Sequence, residues 1–342
     1  TTEIYTLSLH DALPISRRCE RCPAGARHGP RVRPSGFGGS PVTSGEGIGA
    51  LVSREEFVGD VGRAIARGDG YAAGKLGNSE IALLYAPIFL QRTLDPIKRR
   101  AFQTSLAYQS SKFAGLFPPT DEFLSRYVAF DIAHTRNLDC IGLFQERPAM
   151  EAEVIREHGL RAKLIPYRDQ EPDRSVPDAP GRCYLPFLRG RRLLLVSSHA
   201  RFLRDRANQE TFESVWAKTG KKWFHPSHVE AVEFPYGFSR ATHDRYPDSL
   251  ALFSEIAAEI ARREFDVALI AAGGLGIPVA SFIKSLGKVA LSLGGHLQAL
   301  FGVQGERWRS QPGWQERYVT PAWTDLPPAY RLSPGESYEN YW

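Results

Sequence analysis

Two short apolar runs, each broken by glycines, constrain this chain more than any other feature. Val267 to Ala272 is a run of strand length that stops at Gly273, Gly274 and Gly276. Pro278 to Leu286 has helical spacing and ends at Gly287; Val289 to Leu293 follows as a second run, closing on Gly294 and Gly295. Unbroken apolar strands are those covered on both faces, as in parallel sheets. Two of them joined by a crossover helix predict an open α/β sheet, with ligands bound at the carboxyl ends of its strands.

Composition narrows the class. Residues 47–342 hold 37 Lys and Arg against 34 Asp and Glu, scattered along the chain, so there is no concentrated basic face for nucleic acid. No window reaches the apolar length of a membrane span. Four cysteines in 342 residues do not make a disulfide framework, and a reducing cytoplasm is the expected compartment. Thr2 to Ile15 reads as translated sequencing adapter, so residues 1–16 are set aside as artefact. Residues 17–50, rich in Arg, Gly, Pro and Ser, read as a disordered or non-native leader. The Cys19 and Cys22 pair falls there and reads as coincidence. Residues 51–342 remain as one α/β domain, with a sub-boundary expected in the Pro- and Asp-rich stretch 169–181.

Ser53 to Glu56 has the form of a capping box, opening a helix with Phe57, Val58, Val61, Ala64 and Ile65 on one face. Tyr71 to Leu76 then reads as a strand, Gly77, Asn78 and Ser79 as a turn, and Glu80 to Phe89 as a helix. A strand-to-helix junction offers free N–H groups to an anion. Glu80 has two readings there: a functional carboxylate, or a first-turn acid completing the dipole with Asn78 as cap. Lys98, Arg99, Arg100 and Lys112 read as a solvated helix face. Strands follow at 140–144 and 162–165, with a helix at 148–158 between them.

Arg192 to Ser198 is another buried-strand run, and it places Ser198 and His199 at the ligand edge as a polar binding loop, followed by a helix over 205–216. No G-x-S-x-G elbow surrounds them, which disfavours a hydrolase. His225, His228, Glu230 and Glu233 can be read as metal ligands, but the run fits an edge strand with charges facing solvent better. Gly274-x-Gly276-x-x-Val279 lacks the third glycine of a dinucleotide fingerprint. The acid expected about twenty residues on is absent too, since Gly294 stands there and no Asp or Glu occurs between 267 and 305. No P-loop motif occurs.

Three stretches resemble bacterial glycosyltransferases of the GT-D fold type, a Rossmann-like family of surface-polysaccharide and glycoprotein assembly. Lys75 to Glu80 is similar to the family's basic-x-Gly-Asp-Gly-Glu turn, Asp266 to Lys284 to its strand, turn and helix, and Gly294 to Trp308 to its GGALQLLFGIKGKRW block. The closing Tyr341 and Trp342 resemble the way such sequences end. The resemblance spans about residues 53–342. It implies a Rossmann-like, mostly parallel sheet with helices on both faces and transfer of a sugar from a nucleotide-sugar donor, a UDP-sugar by expectation, to a glycan or glycoprotein acceptor. The reaction would run in the bacterial cytoplasm or at the inner face of the membrane. It further implies a divalent metal (Mn or Mg) held by Glu80 and Asn78, with Glu80 also the catalytic candidate. Lys75, Gly77, Asn78, Ser79, Ser198, His199, Gly273, Gly274, Gly276, Gly294, Gly295, Gln298 and Arg307 are the expected donor-binding set, and Trp308 and Phe301 are expected core or lid residues. Asn78 replaces the family's acid and would be a neutral, weaker ligand. A non-catalytic nucleotide-sugar or glycan-binding relative and another polysaccharide-modifying transferase are the competing readings.

Overall fold

The computed structural model describes residues 50–332 except 180. Cys19, Cys22, Tyr341 and Trp342 lie outside the described residues, as does nearly all of the segment read as artefact and leader. The first half runs α1 (Arg54–Arg67), β1 (Tyr71–Leu76), α2 (Asn78–Arg92), α3 (Pro96–Lys112), α4 (Asp121–Thr135), β2 (Cys140–Leu143), α5 (Pro148–Glu157) and β3 (Lys163–Pro166). The second runs β4 (Arg192–Ser197), α6 (Ala200–Arg206), α7 (Gln209–Val215), β5 (His228–Glu233), α8 (Arg240–Arg245), α9 (Ser249–Ala261), β6 (Val267–Ala271), α10 (Gly276–Ser285), β7 (Val289–Ser292) and α11 (His296–Leu300).

The seven strands form one sheet in the order β3-β2-β1-β7-β6-β4-β5, every pairing parallel. Strand side chains alternate between two cores, as the pleat requires: Leu194, Val196, Ala268 and Ile270 face one, Leu193, Leu195, Val267 and Leu269 the other. Helices cover both faces, so the architecture is the expected α/β, Rossmann-like one. Local signals placed most elements. Ser53 caps α1 by accepting from the Glu56 N–H, and Gly68 ends that helix in the left-handed conformation.

One reading changes in detail, and two other stretches take a definite place in the fold. The helix expected over 205–216 is two helices, because the Asn208 side chain accepts from the Thr211 N–H and starts α7 afresh. The stretch 169–181 joins β3 to β4 at opposite sides of one continuous sheet, and it carries buried Glu171. His228 sits on the outermost strand, β5, 3.5 Å from Glu230. Cys140 and Cys183 are buried free thiols. No helix among the described residues is long and apolar enough to cross a membrane.

Consecutive positions along the middle of the sheet send their helices to opposite layers. After β1, α2 packs into the core containing Leu83 and Ile277; after β7, α11 packs into the core containing Leu297 and Trp308. After β6, α10 returns to the first layer, and after β4, α6 goes to the second. Loops that part in opposite directions leave crevices at the carboxyl edge, where an open α/β sheet binds its ligands.

Candidate functional site

The central crevice lies between the ends of β1 and β7 and encloses about 380 Å³. Lys75, Gly77, Asn78, Ser79, Glu80, Gly273, Gly294, Gly295 and Arg307 line it, so the structure brings these nine sequence candidates together. Gly274 and Gly276 build the turn instead: a Cβ on Gly274 would meet Leu116, and one on Gly276 the Ser292 hydroxyl at 2.8 Å. Arg147, Phe144 and Tyr167 also line it, with Gln109, Phe113 and Ser292. None of the first three stood out in the sequence, although all follow the ends of β2 and β3, where a parallel sheet places ligand groups.

Lys75 is 8% exposed and does not stand free. It donates to Glu171 Oε1 at 2.7 Å and to the Leu293 carbonyl at 3.4 Å, with its ammonium 4.2 Å from the centre of the Tyr167 ring. Burial lowers its pKa to about 8 against the opposing pull of Glu171, and Arg174 and Arg307 lower it further. Burial would raise the pKa of Glu171, but His296, Lys75 and Arg174 together hold it well below the usual carboxylate range. Arg174 Nη1 lies 2.9 Å from Glu171 Oε2 and His296 Nε2 2.6 Å from Oε1. Arg174 also reaches His296 Nδ1. Because a guanidinium only donates, Nδ1 accepts and Nε2 carries the proton, leaving His296 neutral. Burial is the main cause of the same outcome, holding the His296 pKa well below its ordinary value.

Glu80 lines the crevice and also makes the contacts of a first-turn acid. Gly77 is the N-cap of α2 with no side-chain cap bond, and the Glu80 carboxylate turns back to accept from the Gly77 and Glu80 N–H groups. Burial nevertheless raises its pKa. Asn78 is the first helical residue, not the cap, and its Nδ2 donates to Glu146 Oε2 at 2.8 Å. Behind them Asp131 is pushed well above the usual range by burial and then by Glu80.

These groups do not fit a resident divalent cation. Hard cations take several oxygen ligands with carboxylates prominent. Here Glu80 is the single carboxylate on the crevice, alongside Lys75, Arg147 and Arg307. No cluster of three or more His, Cys, Asp and Glu among the described residues is placed to hold a metal. The same set fits an anion. Arg147 lines the crevice, and its Nη1 is buried with no hydrogen-bond partner.

A second, narrower pocket of about 80 Å³ opens beside the first, between the ends of β4 and β6, and shares Gly273, Gly294 and Gly295 with it. Ser198, His199 and Gln298 line it, as do Phe234, Tyr236 and Phe238 after β5; no charged side chain does. His199 is 6% exposed. Its Nδ1 lies 3.1 Å from the Tyr236 hydroxyl, while Nε2 has no partner. Burial lowers its pKa to about 4, so it is a neutral ring at pH 7. The structure thus brings Ser198 and His199 to the wall of one pocket, with the ring uncharged. Trp308 and Phe301 are buried in the core of the second layer.

No protein-family model matches this chain, and no curated protein matches it. One similar solved structure is described as the selenomethionine-substituted structure of domain of unknown function 1792. It is 12% identical with a TM-score of 0.37, the match covering 70% of this chain and 76% of that one. A likeness that slight decides nothing about this chain.

Proposed function

We propose that this chain is a glycosyltransferase that takes a nucleotide-sugar donor and passes the sugar to a glycan or glycoprotein acceptor of bacterial surface-polysaccharide assembly. The observation that carries the reading is a pair of buried, unpartnered nitrogens in two joined pockets of opposite character. Arg147 lines a cationic crevice suited to a diphosphate and His199 an uncharged, aromatic-walled pocket suited to a base, and each keeps one buried nitrogen without a partner, which a small side-chain movement would offer to a ligand. The shared glycines let a ligand's ribose pass close to backbone between them. The second pocket is narrow, so its aromatic walls must draw apart as the base enters.

In the reaction, a bond forms between the acceptor oxygen and the anomeric carbon as the bond from that carbon to the phosphate oxygen breaks. The electron pair leaves on the nucleoside diphosphate, where Arg147, Arg307 and Lys75 meet its charge. The acceptor proton goes to a base; Glu80, the crevice's one carboxylate, has the raised pKa that suits this task. A divalent ion would add further charge neutralisation, but none of these steps needs one.

Thermal-shift titrations test this with UDP, a UDP-sugar, pyrophosphate and uridine, each with manganese or with EDTA. UDP and the UDP-sugar are expected to stabilise more than either fragment and to do so in EDTA; at one hundred times Kd the gain is about 2.7 kcal/mol. Arg147→Gln and His199→Gln are expected to weaken it at least tenfold. The reading fails if UDP does no better than pyrophosphate, or if both variants bind as tightly as the parent. Release of UDP in the presence of acceptor separates a transferase from a non-catalytic binding relative.

A further inference from the structure

A third cleft, of about 450 Å³, continues from the central crevice on the side away from the neutral pocket. The two share Phe144, Tyr167 and Arg307. Five arginines line the third cleft: Arg54, Arg168, Arg174, Arg307 and Arg317. Their obligations differ. Arg54 is spent on Asp169 at 2.8 Å and on the Arg168 carbonyl at 3.0 Å, and Arg174 on Glu171. Arg307 lies over Trp308 and bonds to the Tyr167 side chain, with no carboxylate partner among the described residues. Arg168 and Arg317 are exposed at the rim and likewise have none.

The acids on this cleft do not offset those three. Glu171 is shared among Lys75, His296 and Arg174. Asp173 is held by Arg182 at 2.7 Å and by Ser175. Glu146 alone remains, bonded to the neutral amide of Asn78. Three guanidiniums without a carboxylate partner, against the single uncommitted acid Glu146, leave this open cleft with an excess of positive charge and make it a receptor for a carboxylate or a phosphate, which guanidinium binds through paired N–H donors.

We propose that this cleft receives the acceptor and that the acceptor is anionic, a saccharide carrying a carboxylate or a phosphate close to the hydroxyl that is glycosylated. The proposal rests on the donor lying in the central crevice; Arg307 then stands between donor diphosphate and acceptor anion. A neutral glycan would leave Arg168 and Arg317 with water alone, gaining nothing from them.

Calorimetric titration of the full chain with three probes tests this: a disaccharide ending in glucuronic acid, its glucose-ended neutral counterpart, and glucose 1-phosphate. Binding of at least one anionic probe ten times more tightly than the neutral disaccharide, falling as salt rises, is expected; which anionic probe binds tighter identifies the source of the charge. The double variant Arg168→Gln, Arg317→Gln should lose most of that preference while keeping the parent's UDP affinity and melting temperature, since both side chains are at the surface. Equal binding of acidic and neutral disaccharides overturns the proposal, as does loss of UDP affinity in the double variant, which would make the cleft part of the donor site. Anion preference without any UDP binding would instead remove the donor reading and leave the anion site standing.

Discussion

A buried histidine with a free nitrogen is a costly object, and His199 is one. Its folded pKa of about 4 lies below the ordinary 6.5, so the folded state binds fewer protons than the unfolded chain between those values. His199 therefore contributes stability that is complete above pH 6.5 and is lost as pH falls towards 4. The full effect is up to about 3 kcal/mol, since each tenfold loss of proton affinity on folding is worth about 1.4 kcal/mol. Denaturant titrations between pH 4 and 7 should show a shallower pH slope in His199→Gln than in the parent; equal slopes would mean that the imidazole is not held neutral. His199 was legible because it closes an apolar run at a strand end. Its partner Tyr236 and the Lys75–Glu171 pair were not, because contacts across 37 and 96 positions leave no local pattern. Lys75 was expected in the donor-binding set and does line the crevice, but only the fold shows that Glu171 already claims it.

At the scale of the element, the glycine turns carry most of the constraint. Gly273 has φ 51°, and a Cβ there would stand 2.6 Å from the Ala114 carbonyl, whose oxygen accepts from the Gly274 N–H at 2.8 Å. Gly294 has φ 55° but open space around its missing Cβ. Alanine at 294 is thus expected to cost about 1 kcal/mol, from backbone conformation alone. Alanine at 273 should cost more, about 2–3 kcal/mol, since it also drives the loop after α3 out of contact with the turn. Chemical denaturation of the two single variants measures the difference; equal costs would show that the contact with Ala114 is slack. Periodicity and punctuation revealed these turns, the cap of α1 and all seven strands of the large sheet. They did not reveal which glycine lines a cleft and which packs tightly against protein, because that depends on the neighbour a turn meets.

Across the whole molecule, the segment that composition marked as a boundary lines the arginine-rich cleft through Glu171 to Ser175. Within 169–181, Asp173, Asp178 and Glu171 pair with Arg182, Lys221 and Lys75 and tie the segment to the rest of the fold. With the sheet continuous through β1 and β7, residues 51–332 are expected to unfold in one transition. Coincident melting curves by far-ultraviolet and tryptophan signals would support this, and two separated transitions would not, since five of the six tryptophans, Trp216, Trp223, Trp308, Trp314 and Trp323, lie in the second layer. The alternation of loops between layers has a mechanical consequence as well. The two cores lie on opposite faces of the sheet, and a ligand seated in the crevice would touch loops rooted in both. Its occupancy would bridge them at the free edge, so amide hydrogens in α2 and α11, on opposite faces, should slow their exchange together.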